Sequence, residues 1–282
     1  MLSNVASNAF LKTLEEPPEH VIFILATTEP DRVIETIRSR TTQVVFKKIL
    51  DEKIINVLEQ ISKEEKINFK NNYKGLLLDI EGVIYGGNKL IEGSIETINK
   101  LLVNGFKIKY LTNTTTTSRM LIFEKLLQFK LPLNESNIFS PAIATNIFLK
   151  KKNISRISLF TNQFLQEDFT DFVIDDIKPE AIILGDLFKE FNWEKLNKVF
   201  QTILENNALI IALHKNRYCK RENKLSLDLG PFVAALEYAT SKKSVLIGKP
   251  EKNFFNLAIE EMKLKNEEVV MIGDDIVADI GG

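Results

Sequence analysis

KGLLLDIEGVIY, Lys74 to Tyr85, is the segment whose reading decides the fold. Gly75-Leu76-Leu77-Leu78 is a short, uninterrupted apolar run, the pattern of a parallel strand covered on both faces. The run ends on Asp79, with Glu81 and Gly82 close behind. In an open α/β sheet the carboxyl ends of the strands border the ligand crevice, so a carboxylate there is placed for chemistry. Inside the strand the same group would only be costly to bury. Taken alone, the segment fits an ordinary strand-to-loop acid equally well.

Three further runs weigh against that plainer explanation. Phe106–Leu111 reads as a strand ending on Thr112-Asn113. Val245–Ile247 ends on Gly248-Lys249-Pro250, and Val269–Ile272 ends on Gly273-Asp274-Asp275, with Asp279 further on. In chain order the strand ends deliver a carboxylate, a hydroxyl with an amide, a lysine and a carboxylate cluster. Each is weak evidence; the ordered set has the composition of a phosphate and magnesium site.

With these motifs in place, residues 74–282 resemble the haloacid dehalogenase-like (HAD) hydrolases, in the large-cap branch of small-molecule phosphatases. Within it the chain is most similar to the group containing the phospholysine, phosphohistidine and pyrophosphate phosphatases. DIEGVIY, YLTNTT, LDLGPFVAALEYAT, IGKPEKNFF and VMIGDDIVADIGG carry the resemblance. It implies an α/β fold, a Rossmann-like core (71–140 and 242–282) with an inserted α/β cap domain (141–241). It also implies a phosphatase of small phosphomonoesters or pyrophosphate that works through an aspartyl-phosphate on Asp79. Mg2+ is expected between Asp79, the backbone carbonyl of Glu81 and Asp274, with Asp275 or Asp279 in support. Lys249 is expected to neutralise the transferring group, and Thr112 and Asn113 to donate hydrogen bonds to it. Glu81 stands where the superfamily's phosphatases usually carry an aspartic acid that protonates the leaving group.

The stretch between the second and third motifs has strand-like runs of its own (Ile157–Phe160, Ala181–Leu184, Leu209–Leu213) and helices at Trp193–Glu205 and Pro231–Ala239. After its last run come His214, Lys215, Arg217, Tyr218, Lys220 and Arg221. This basic segment favours a small, multiply anionic substrate. Arg217 is the candidate substrate contact because a guanidinium pairs with phosphate through two parallel hydrogen bonds. His214 reads better as a structural polar residue. Thr114–Thr117 leads into a helix at Ser118–Phe129 and is expected to cap it. Gly86-Gly87-Asn88 reads as a flexible turn.

Residues 1–70 carry a different pattern. Ser3–Glu16 has helical spacing that stops at Pro17-Pro18, Val21–Ala26 reads as a strand ending on Thr27-Thr28, and Asp31–Ser39 as a second helix. MLSNVASNAFLKTLEEPPEHVIFILATTEP and Ser39-Arg40 resemble the AAA+ ATPase domain of the bacterial DNA polymerase III gamma/tau clamp-loader subunit. The resemblance implies that Thr27-Thr28 lie at a nucleotide sensor and that Arg40 reaches a neighbour's nucleotide. No GxxxxGK[ST] phosphate loop occurs in the chain, so this part is expected to be a partial domain that does not bind ATP by itself. The alternatives to a phosphatase are thus a clamp-loader component or an inert hybrid fragment. The join is expected at Asn71-Asn72.

Composition is consistent with this division. A chain of 282 residues, 44% apolar, suggests roughly two domains with sizeable cores. Lys plus Arg (37) nearly balances Asp plus Glu (38), which argues against nucleic-acid or membrane partners. One cysteine, Cys219, excludes an internal disulfide and fits a reducing cytoplasm. The chain stops at Gly281-Gly282, where the resembled core adds a helix and an edge strand. An exposed sheet edge that invites association, homodimers included, is the expected consequence.

Overall fold

Gly75–Asp79 folds as strand β1 with all five residues buried, as an apolar run without polar alternation requires. The computed structural model describes residues 73–280 except 222 and 223, together with Ile37; the side chains of Lys220 and Ile280 are not described. The sequence expectations for residues 1–70, Thr27, Thr28 and Arg40 among them, and for Gly281-Gly282 fall outside these residues. Met1–Phe69 and Lys70–Gly282 are separate compact units, and every strand and helix named below belongs to the second.

β1 lies between two parallel neighbours. On one side is β4 (Lys107–Leu111), which pairs on with β5 (Ile138–Phe139); on the other is β13 (Val269–Ile272) at the sheet edge. The period-two alternation of a strand sends Leu76 and Leu78 to one face and Leu77 to the other. Leu76 and Leu78 pack with Ile98 of α1 (Ser94–Val103) and with Ile122 and Leu126 of α2 (Arg119–Gln128). Leu77 packs with Ala142 of α3 (Pro141–Lys151) and with Phe254 and Leu257 of α6 (Lys252–Met262). Lys109 is buried within β4, and its ammonium is satisfied at 2.6 Å by both Glu261 Oε2 and the Ser136 carbonyl. Between β1 and α1, Tyr85–Gly86 (β2) and Lys89–Leu90 (β3) form a hairpin. Its two-residue loop, Gly87-Asn88, places Gly87 at φ +60°, where a side chain would be strained.

A second parallel sheet comprises β6 (Arg156–Phe160), β7 (Val173–Ile174), β8 (Ala181–Leu184), β9 (Leu209–Ala212) and β12 (Val245–Leu246), in the order β12-β9-β8-β6-β7. One face is covered by α4 (Trp193–Asn206) and α5 (Leu229–Thr240), through Val199, Ile203, Leu229 and Val233. On the other face Ile157, Ile183 and Ile211 belong to the same apolar cluster as Leu77, Phe139 and Phe254, so one continuous core joins the two sheets. β10 (Tyr218–Arg221) and β11 (Lys224–Leu227) form an antiparallel hairpin between β9 and α5. No helix among the described residues is long and apolar enough to cross a membrane.

The third apolar run differs from its sequence reading. Val245 and Leu246 pair with Ile211 and Ala212, and Ile247 and Gly248 continue the hydrogen bonding to Ala212 and Leu213. The inserted sheet therefore extends past the boundary expected at residue 242. The chain leaves it only at Gly248, directly before Lys249.

Candidate active site

The strand ends meet at Lys249. Its side chain is buried, and Nζ donates to Asp79 Oδ1 and to Asp279 Oδ1, both at 2.6 Å. Asp79 is the last residue of β1, and Asp279 sits in a π-helical turn, Ile276–Ile280, beyond the end of β13. Asp274 completes the group: carboxylate oxygens of Asp79, Asp274 and Asp279 lie within 4.8 Å of one another. Acidic side chains outnumber the one lysine three to one, and hard oxygen donors in that arrangement suit a divalent cation such as Mg2+. Burial pushes the Asp79 carboxyl up to about 6; Lys249 pulls it down, and the nearby Asp279 pushes it further up.

Close backbone approach makes the cluster. A Cβ on Gly82, which sits at φ +87°, would lie 2.0 Å from Asp274 Oδ2, and one on Gly273 would lie 2.2 Å from Asp279 Oδ2. Only glycine lets these turns pass that close to the carboxylates. Asn113 fixes the lysine rather than facing it: its Oδ1 accepts from the Lys249 amide at 2.9 Å and its Nδ2 donates to the Lys249 carbonyl at 3.0 Å. The Thr112 hydroxyl accepts from the Thr114 amide at 3.1 Å, which leaves its own proton to donate elsewhere.

The structure thus brings together Asp79, Asp274 and Lys249, with Asn113 alongside. Of the two supporting acids, it is Asp279 that joins the cluster. Asp275 Oδ1 instead accepts from the Val277 and Ala278 amides at 2.9 and 3.0 Å, capping the turn that presents Asp279. The Glu81 side chain is exposed and lies outside the carboxylate group. Tyr85 donates to the Ile80 carbonyl and Gly82 to that of Tyr85, so neither bond consumes the Glu81 carbonyl.

The basic segment is largely neutralised from within. His214 is buried, with Nε2 3.7 Å from Asp228 Oδ1, and burial lowers its pKa. Lys215 pairs with Glu237 at 2.8 Å, and Arg221 pairs with Asp186. Arg217 is exposed and makes no ion pair among the described residues. The threonine run also differs from its sequence reading. Ser118 alone caps α2, its hydroxyl accepting from Leu121 at 3.4 Å, while the buried Thr115 hydroxyl accepts from the Asp186 amide at 3.2 Å. Nothing in the sequence around Asp186 marks that contact, because it joins positions far apart in the chain.

Known proteins fall in the same place. Family models described as haloacid dehalogenase-like hydrolase and HAD-hydrolase-like match residues 76–174 and 246–282. One described as DNA polymerase III, delta subunit, matches residues 1–50, where the sequence resembles the gamma/tau subunit. The phospholysine phosphohistidine inorganic pyrophosphate phosphatase of Xenopus laevis is 35% identical over 75% of this chain and 80% of its own. Haloacid dehalogenase-like hydrolase domain-containing protein 2 of Mus musculus is 35% identical over 74% of this chain and 79% of its own. Among solved structures, a p-nitrophenyl phosphatase from Archaeoglobus fulgidus superposes with a TM-score of 0.69 at 26% identity, covering 74% of this chain and 81% of that one.

Proposed function

The chain belongs to the haloacid dehalogenase-like hydrolases, and from that premise we propose that it is a Mg2+-dependent phosphatase whose nucleophile is Asp79, acting on small phosphomonoesters or pyrophosphate. The observation that carries the reading is the Lys249 ammonium held between Asp79 and Asp279, with Asp274 completing the acidic group. Asp79 Oδ attacks phosphorus as the bond to the leaving oxygen breaks, and Glu81 supplies the leaving group's proton. Water then attacks the phosphoryl group and gives its proton to the Glu81 carboxylate, which restores that acid; the P–Oδ bond breaks and inorganic phosphate and the free Asp79 carboxylate are released. Dividing one displacement into two lowers each barrier. Lys249 and the Thr112 hydroxyl offset the charge on the transferring oxygens. Asn113 contributes by fixing the Lys249 backbone.

Asp79, Asp274 and the Glu81 carbonyl are the groups that would hold Mg2+, with Asp279 behind them. When bound, the cation shields the charge of the phosphate oxygens. Asp275, by its capping contacts, supports the turn instead. Arg217 is the exposed guanidinium that we assign to an anionic substrate, and one cysteine, Cys219, suits a reducing cytoplasm. For residues 1–50 the delta-subunit match favours a contact in a replication assembly as a second reading; the chain holds no phosphate loop for ATP. Among the described residues β13 is the last strand of its sheet, and we assign that edge to association between copies.

The test is hydrolysis of p-nitrophenyl phosphate, pyrophosphate, sugar phosphates and phospho-amino acids with and without Mg2+, in the wild type and in Asp79→Asn. Mg2+-dependent release that vanishes in the variant supports the reading. Equal release from both proteins removes Asp79 from the mechanism.

A further inference from the structure

Asp186 is a junction between three segments. It follows β8, its side chain is only 10% exposed, and its amide and its two carboxylate oxygens each have a different partner. The backbone amide donates to Thr115 Oγ1 at 3.2 Å, in the loop that begins with Thr112-Asn113. Oδ1 accepts from the Phe188 amide at 2.8 Å and so holds Phe188 at φ +48°, a conformation that an aromatic residue adopts only when its surroundings enforce it. Oδ2 takes the guanidinium of Arg221 from the β10–β11 hairpin, and that guanidinium lies 4.1 Å from the centre of the Phe188 ring. Arg221 Nε also donates to Cys219 Sγ at 3.1 Å. Charge, ring and turn each fix the other two, and the assembly ends on a threonine hydroxyl three residues from Thr112.

We propose that Asp186 and Arg221 are positioning residues: through Thr115 they set the phosphate-binding loop from the hairpin that directly follows Arg217, coupling the state of the hairpin to the site. The contact to Thr115 uses a backbone amide, so its direction is fixed by the turn that the Asp186 carboxylate stabilises. Loss of the Arg221 pair would leave a mostly buried carboxylate without its counter-charge, and the turn would relax. A loop displaced by a fraction of an ångström misaligns its donors to the transferring oxygens. The relevance of the loop rests on the phosphatase reading above, whereas the mechanical coupling does not.

The experiment uses the full chain and two readouts: hydrogen exchange of the amides from Thr114 to Ser118, and the kinetics of p-nitrophenyl phosphate hydrolysis. Thr115→Val, Asp186→Asn and Arg221→Gln are each expected to speed exchange in this loop and to raise KM about tenfold, with a smaller change in kcat. Arg221→Lys, which keeps the charge, is expected to recover part of the KM. Thr115→Val combined with Asp186→Asn is expected to be no worse than Thr115→Val alone, because both break one chain of contacts. Unchanged exchange in Asp186→Asn and Arg221→Gln overturns the coupling. Should Asp186→Asn fail to fold, the Arg221→Gln and Arg221→Lys pair decides. A wild type that hydrolyses nothing defeats the phosphatase reading, and the exchange data still decide the coupling.

Discussion

Lys249 is a buried ammonium whose hydrogen-bonding carboxylates are Asp79 and Asp279, and the chemistry of the site follows from that arrangement. In the mechanism we propose, Asp79 must be ionised to attack, and burial raises its carboxyl to about 6. Protonation therefore removes the nucleophile as pH falls through that value, and kcat/KM is expected to drop about tenfold per pH unit below it. A bound cation favours the carboxylate, so the acid limb should shift to lower pH as Mg2+ is raised. A limb that ignores Mg2+ would separate Asp79 from the metal. The two acids after β13 differ in the same way. Asp279→Asn removes a partner of Lys249 and is expected to cost at least about a hundredfold in kcat/KM, a loss of about 3 kcal/mol. Asp275→Asn alters only a turn cap and is expected to cost about 1 kcal/mol of stability with little change in turnover. Parallel kinetics and thermal melts of the two variants check this order. Asp79, Lys249 and Asp274 were legible in the sequence because each closes an apolar run. The choice between Asp275 and Asp279 was not, because the π-helical turn that aims one carboxylate inward and the other at the backbone leaves no spacing signature.

At the scale of elements, the N-terminus of α2 is held from the inserted unit. Ser118 donates to Glu167 at 3.0 Å, and both Asp168 oxygens accept from the Arg119 amide at 3.1 Å. Burial pushes the Asp168 carboxyl up to about 6, against the opposing pull of that amide. A folded-state value above the unfolded one means that the group's stabilising contribution is complete below the unfolded value and is lost as pH rises through about 6. Asp168→Asn keeps an oxygen for the amide without the buried charge. It should therefore melt higher relative to the wild type near about pH 8 than near about pH 5. An identical difference at both pH values would show that Asp168 is not the titrating group. Most strands and helices of this unit could be read from apolar runs and periodicity. The two hairpins could not, since their short strands form neither an apolar run nor a sustained period. Val245–Leu246 was legible as a strand but not by partner: a short apolar run fits either sheet, and continuation of the β9 ladder to Gly248 decides it.

For the whole molecule, one apolar cluster runs from Leu77 through Phe139 and Phe254 to Ile183 and Ile211, so the core and the inserted sheet share a common interior. Sequence separates these parts by motif; it does not reveal that their inner faces meet, because a buried apolar run such as Gly75–Leu78 or Ala181–Leu184 does not mark which face packs on which sheet. The two compact units divide between Phe69 and Lys70. Every carboxylate of the acidic cluster lies in the second unit, so removing residues 1–69 is expected to leave turnover per folded molecule unchanged within about twofold. Loss of Mg2+ dependence in a remainder that still melts cooperatively would contradict that independence. Acid quenching during turnover of p-nitrophenyl phosphate, followed by peptide mass spectrometry, decides whether this molecule transfers a phosphoryl group to Asp79. A phosphoryl group is expected on the peptide containing Asp79, and none in Asp79→Asn. Steady release of phosphate with that peptide unmodified at every quench time, or with the label on another residue, would contradict it.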